Sequence, residues 1–287
     1  MTTVSLVLGS GGARGYAHIG VIEVLEARGY TINCIAGSSM GALVGGIYAA
    51  GGLEGYTAWV KKLSRLQIIR LLDLTFSMGA IRGERLFDKI KEYTGNPDIQ
   101  ELAIPYTAVA TDIIHQKEVW FQRGSLIEAI RASIAVPGVF TPVEKDHRLL
   151  VDGGVLNPLP IIPTVAARSD LIIAVDLNGG QVLPDISLPE PKFAHHKGFE
   201  DGPHTRVKHR IERFKPDSNM DVIMSSLEVM QGALSQYKIA GYPPDLLISI
   251  PSTVCEFHDF HRATEVIEKG REVAQRAIDD MEAMAYT

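Results

Sequence analysis

Apolar and polar positions along this chain switch between two rhythms, and the switches mark its elements. Val4-Ser5-Leu6-Val7-Leu8 is a nearly continuous apolar run that ends in a glycine-rich stretch, Gly9 to Gly15. This predicts a buried strand entering a turn. From Tyr16 to Arg28 the apolar residues Ile19, Ile22 and Leu25 recur with charges between them, and Gly29 closes the pattern, which predicts a helix. Thr31 to Ala36 predicts a second strand, and Ala42 to Ala50 a helix packed through small residues. Residues 53–100 read as mostly helical, with a break around Met78-Gly79.

Tyr106–Thr111 and Glu118–Phe121 predict two strands, paired as a hairpin or as sheet neighbours. Ser125–Ala135 predicts a helix that stops before Pro137. Leu149–Val151 predicts a short strand running into Asp152-Gly153-Gly154. Leu171–Leu177 is the strongest buried-strand signal in the chain. The pattern then lapses: residues 179–218 are rich in Pro, His, Lys and Arg, and predict a loop or lid. It resumes with a helix over Met220–Tyr237, a strand over Asp245–Ile250 and an amphipathic helix over His261–Met284. Strands alternating with helices predict an α/β sandwich with a largely parallel sheet. Residues 1–287 read as one domain: a motif-bearing core over 4–178, the loop or lid, and a C-terminal part over 219–287.

Composition narrows the function classes. A hydrophobic share of 46% and a charged share of 22% are ordinary for a globular protein. A net charge of -6 argues against nucleic acid as a partner. Cys34 and Cys255 supply neither a disulfide framework nor a metal pair, which points to a reducing compartment such as the cytoplasm. The start, Met1-Thr2-Thr3-Val4, has no basic n-region and reads as no secretory signal. The window Cys34–Leu53 has membrane length but carries six glycines and few large aliphatics. Any membrane contact is therefore expected to be peripheral.

Candidate chemistry centres on Gly37-Ser38-Ser39-Met40-Gly41. A Gly-x-Ser-x-Gly pentapeptide between a strand and a helix points to a nucleophile elbow, a sharp turn that presents the Ser39 hydroxyl at the end of a sheet. A serine nucleophile needs a base and donors for the developing oxyanion. The glycine-rich turn supplies backbone N–H groups, with Gly11, Gly12 and Ala13 as the candidates and Arg14 as loop support or extra positive charge. A dinucleotide fingerprint starting at Gly9 would need glycine where Arg14 stands, and a Walker lysine is absent. The base is open on residue grounds. Asp152, Asp112 and Asp176 all sit near strand ends, and none of the nine histidines has a comparable context. His18, inside the first helix, is expected to pack.

Three elements occur in order: Ser10-Gly11-Gly12-Ala13-Arg14-Gly15, the Ser39 pentapeptide and Asp152-Gly153-Gly154. Together with Arg131–Pro137, Phe140 and Pro142 they resemble the patatin-like phospholipase family, in particular its bacterial branch similar to the neuropathy target esterase catalytic domain. The resemblance spans about residues 4–178. It implies a three-layer α/β/α sandwich and a Ser39–Asp152 dyad acting on acyl esters of phospholipids, lysophospholipids or neutral lipids. It also implies Gly11, Gly12 and Ala13 as oxyanion donors, Arg14 as their support, and no metal or other cofactor. The family's glycine triplet reads Ser10-Gly11-Gly12 here, a substitution expected to keep the backbone N–H on offer.

Two further function classes stay open: an acyltransferase serving an acceptor other than water, and a regulatory or interaction protein with slight turnover. The tract Lys192–Lys215 mixes basic and histidine residues with acidic ones. It could touch anionic lipid headgroups or be a solvated loop. Oligomeric state is not legible in the sequence.

Overall fold

A computed structural model describes residues 1–71, 83–179 and 219–285, with the side chains of residues 219–221 and 285 excepted. The Met78-Gly79 break, the lid reading and the Lys192–Lys215 tract lie outside those residues.

One eight-stranded sheet organises the chain. Its parallel members are β1 (Thr3–Leu8), β2 (Thr31–Ser38), β3 (Tyr106–Asp112), β7 (Leu171–Gly179) and β8 (Leu246–Pro251). Two strands run against them, β4 (Lys117–Phe121) and β6 (Arg148–Asp152), and β5 (Val143–Lys145) pairs antiparallel with β6 at the sheet's edge. β1 lies at the centre, between β2 and β7. Its side chains alternate between two apolar clusters, Leu6 and Leu8 in the larger and Val7 in the smaller. A strand covered on both faces must be apolar throughout, which is why β1 reads as a run and not as an alternation.

The larger cluster is built with helices α1 (Ala17–Ala27), α2 (Met40–Ala49), α3 (Leu53–Val60), α5 (Glu84–Thr94), α6 (Leu126–Ser133) and α8 (Ala263–Ala285). The short α4 (Arg65–Leu71) contributes no buried side chain. On the smaller side, Leu159, Ile161 and Ile239 pack on Val7 and Ala174. Ile239 comes from α7 (Asn219–Gly241), which also packs on β7 and on the turn after β6. α8 seats Ala263, Val266, Ile267, Ala274 and Ile278 in the core against α1. The predicted amphipathic stripe is thus the packed face. Arg28, the residue after α1, bridges to Asp279 and Glu282 near the end of α8.

Several boundaries moved. The glycine stretch continues into a 3₁₀ turn over Gly12–Tyr16 before α1 begins. The helix predicted over Ser125–Ala135 begins at Leu126, because the Ser125 hydroxyl accepts the Glu128 N–H as its cap, and ends at Ser133. The predicted strand pair β3–β4 is antiparallel. β5, three residues long with two of them charged, has too little pattern to be read and forms by pairing with β6.

The pairings of β3 decide where the chemistry sits. Val109 pairs with Trp120 of β4 and with Ser38 of β2, and Ala110 pairs with Val119 of β4 and Asp152 of β6. A strand has two edges, and β4 fills one along its length. β2 and β6 must therefore share the other, end to end. β2 stops at Ser38, and β6, arriving antiparallel, stops at Asp152 one step further along.

Candidate active site

Ser39 follows the last residue of β2 and precedes the first of α2. Its backbone has φ 55 and ψ -124, a left-handed conformation that side chains disfavour. Such strain persists only where the surroundings enforce it. Gly41 is part of the enforcement: a β-carbon there would collide with the Leu8 carbonyl, so α2 can start this close to β1 only with glycine. The Ser39 N–H donates to Ser133 Oγ at 2.9 Å, and Ser133 Oγ–H donates to the Val109 carbonyl at 2.6 Å. Ser133, the last residue of α6, thus ties the elbow to β3. Ser39 occupies the N-cap position of α2, yet its hydroxyl makes no capping bond. It stands at the positive end of the helix, where negative charge is favoured.

Ser133→Ala should lower unfolding stability by about 2 kcal/mol, because a buried donor and a buried acceptor both lose their partner. Urea denaturation measures this. A midpoint equal to that of the parent would refute the bracing role, and Ser133→Thr should restore most of the loss.

The three candidate carboxylates differ in what surrounds them. Asp112 is closed off. Burial would push its pKa up, but the His115 ring at 2.6 Å and the N–H groups of His115 and Ile114 outweigh it and hold the group below the carboxylate range. Asp176 is buried and its pKa is raised by desolvation, with the Asn178 N–H at 3.1 Å as a partial offset. Asp152 is 2% exposed. Its Oδ1 accepts the Gly154 N–H at 2.7 Å, while Oδ2 is buried with no hydrogen-bond partner. Burial pushes this carboxyl up to about 7, and the neighbouring Ser39 hydroxyl, then Gly154, pull the other way. The Ser39 hydroxyl is near enough to act on Asp152, although the geometry falls short of a formed hydrogen bond. Of the three, only Asp152 feels Ser39.

The glycine loop lies beside both. Ser10 Oγ–H donates to Ser38 Oγ at 3.4 Å. The Ser10 N–H goes to the Pro158 carbonyl at 2.8 Å, so the backbone donor expected to stay on offer there is taken. The Ala13 N–H is committed as well, to Phe257 O at 2.9 Å, which removes Ala13 from the expected donor set. Among the described residues no backbone carbonyl takes the N–H of Gly11 or Gly12. Gly12 holds φ +55, and a β-carbon on it would strike Phe257. His18 packs, as expected. Its Nε2 meets the Gly9 carbonyl at 2.9 Å, and burial lowers its pKa to about 4. No described histidine hydrogen-bonds Ser39 or Asp152.

The family model for patatin-like phospholipase matches residues 6–165, a span that contains the glycine loop, Ser39 and Asp152. The chain belongs to the patatin-like phospholipase family. An uncharacterized NTE family protein of Mycobacterium tuberculosis is 42% identical over 99% of this chain and 95% of its own length. The mouse patatin-like phospholipase domain-containing protein 6 is 34% identical, over 64% of this chain and 14% of that protein. Among solved structures, VipD from Legionella pneumophila superposes with a TM-score of 0.56 at 16% identity, covering 98% of this chain and 67% of that one. That likeness concerns the fold. Membership in the patatin-like family carries lipid-hydrolase chemistry in general.

Beyond the matched span, α7 adds residues that sequence reasoning missed. Arg14, 3% exposed, donates from Nη2 to Glu228 Oε1 at 2.8 Å. Lys238 pairs with Glu118 at 2.8 Å, and Glu118 also accepts from Asn157. Gln231 is buried, with its side-chain nitrogen packed over Gly154. These contacts join positions far apart in the chain and leave no periodic trace. The one available signal was that polar residues fall where α7 should have been apolar. Among the described residues no helix of this patatin-like chain is long and apolar enough to cross a membrane.

Proposed function

We propose that this protein is a serine acyl-ester hydrolase of lipid-like substrates, of the phospholipase or lysophospholipase type, working through Ser39 and Asp152. The observation that carries the reading is the unpartnered Asp152 Oδ2, buried beside the strained Ser39 on one edge of β3. In the first step Asp152 takes the Ser39 proton as Oγ bonds to the ester carbonyl carbon. The N–H groups of Gly11 and Gly12 receive the oxyanion, and the positive end of α2 adds to them. The carbon–oxygen bond to the alcohol then breaks, and Asp152 returns the proton to the leaving oxygen. In the second step water gives one proton to Asp152 as its oxygen bonds to the acyl carbon; the acyl–Oγ bond then breaks and Asp152 returns the proton to Ser39, which restores the free hydroxyl and the carboxylate.

A base whose pKa lies near 7 works in that range of pH without help from histidine. The reading is tested first by labelling with a fluorophosphonate probe and locating the adduct. Modification of Ser39 in the parent, lost in Ser39→Ala, is the expected result. An unlabelled parent protein would count against it.

The pH dependence follows from the same group. Only ionised Asp152 can accept the proton, so kcat/KM for an aryl ester should rise about tenfold per unit below pH 7 and level off above it. A pH–rate profile from acid to mildly basic buffer measures this. A flat profile through neutrality would remove Asp152 as the base.

A further inference from the structure

The glycine loop is held from outside the family-matched span. Arg14 Nε and the Arg14 N–H both donate to the Gly11 carbonyl, at 3.3 and 3.2 Å. The rest of the guanidinium is fixed by two elements late in the chain: Nη1 donates to the Ser252 carbonyl at 3.3 Å, and Nη2 to Glu228 Oε1 at 2.8 Å. Glu228, with a side chain 25% exposed, is the only carboxylate in direct contact with this buried cation among the described residues.

The Gly11 carbonyl and the Gly12 N–H belong to one peptide unit. That unit is planar and trans, so the two groups point in opposite directions. Holding the carbonyl on Arg14 therefore aims the Gly12 N–H the other way. The neighbouring donors of Ser10 and Ala13 are spent on Pro158 and Phe257. A peptide between two glycines rotates easily, because neither residue carries a β-carbon to resist positive φ. Something else must hold its direction, and the Arg14 contacts do so.

We propose that Glu228 of α7 is a positioning residue which, by holding Arg14, keeps the Gly11–Gly12 peptide turned so that the Gly12 N–H faces the developing oxyanion. The proposal rests on the Ser39 hydrolase reading and extends it to a helix that follows the matched span. Removing the carboxylate leaves the guanidinium with the Ser252 carbonyl as its one anchor outside the loop, so Arg14 Nε holds the Gly11 carbonyl less firmly and the peptide turns more easily about its remaining Arg14 N–H bond. The loss falls on the transition state, whose oxyanion needs the donor, more than on the ground-state ester.

The experiment compares Glu228→Ala, Glu228→Gln and Glu228→Asp with the parent. Fluorophosphonate titration counts active sites, so that kcat is expressed per reactive serine. For Glu228→Ala we expect kcat on an aryl ester to fall about 10- to 100-fold with KM within about twofold, somewhat less than deleting an oxyanion donor outright. Affinity for a trifluoromethyl ketone, which forms a tetrahedral adduct with the serine, should fall in parallel. Glu228→Gln keeps the length and one acceptor for Arg14, and should recover much of the rate; Glu228→Asp, one methylene short, should recover less. An effect on folding alone would reduce the number of titrated sites and leave kcat per site and ketone affinity unchanged. That outcome, or a rise in KM alone, would overturn the proposal. Absence of labelling in the parent would instead overturn the Ser39 reading on which it rests.

Discussion

Ser39→Ala is expected to abolish hydrolysis of a short-chain aryl ester, lowering kcat/KM by roughly 10⁴-fold or more. The expectation is large because the serine hydroxyls described next to Ser39 are engaged elsewhere. Ser38 points toward Ser10, which donates to it, and Ser133 is committed to the Ser39 N–H and the Val109 carbonyl. The variant should fold normally. Alanine bears the same backbone strain at φ 55, and the elbow bond uses the residue-39 N–H, which alanine keeps. Loss of activity at an unchanged melting temperature is thus the expected pair of results. Activity near that of the parent would end the nucleophile assignment.

Asp152→Asn is expected to have the next largest effect, and in two directions. Activity should drop roughly 10³- to 10⁴-fold, since an amide cannot accept the Ser39 proton. Asp112→Asn and Asp176→Asn should stay far closer to the parent. Stability should move the other way. The folded-state pKa of Asp152, about 7, lies above the unfolded value of 3.8. The native protein therefore binds the extra proton between these values, and its stability falls as pH rises through that window. Asparagine has no such proton to lose and keeps an oxygen for the Gly154 N–H. The variant's advantage in unfolding free energy should grow from near pH 4 to near pH 7 and then level off. Its ceiling is on the order of 4 kcal/mol, from about three pH units at ~1.4 kcal/mol each. Denaturant titrations across that range measure it. An advantage that does not grow with pH would mean that the carboxyl is not held protonated by burial.

How much of this was legible beforehand differs from element to element. β1, β7 and α8 were read correctly because each buries a face or both faces, and burial imposes a period on the residues themselves. β5 was not legible, since three residues at an edge, two half-buried and one exposed, carry no period. Ser39 and Asp152 were legible as residues. Their neighbouring glycines mark turns, and turns of that kind demand particular residue types. The donor set was only partly legible. Ala13 and Ser10 look like donors in the sequence, but their N–H groups are consumed by Phe257 and Pro158, the former more than two hundred positions away. His18 was legible as a packed residue; that its ring holds the Gly9 carbonyl was not.

The sequence by itself determined the alternation of strands and helices, the elbow, the glycine loop and the family. These depend on local backbone demands and on burial, which act through the residue at each position. Residue patterns left three carboxylates open and the family resemblance pointed to Asp152; the tertiary structure is what brings that carboxylate beside Ser39. That placement follows from β2 and β6 sharing one edge of β3, a consequence of register between segments far apart in the chain. It also decided which N–H groups remain free and which late residue holds Arg14. Those outcomes turn on distances between side chains and carbonyls that no spacing along the chain records.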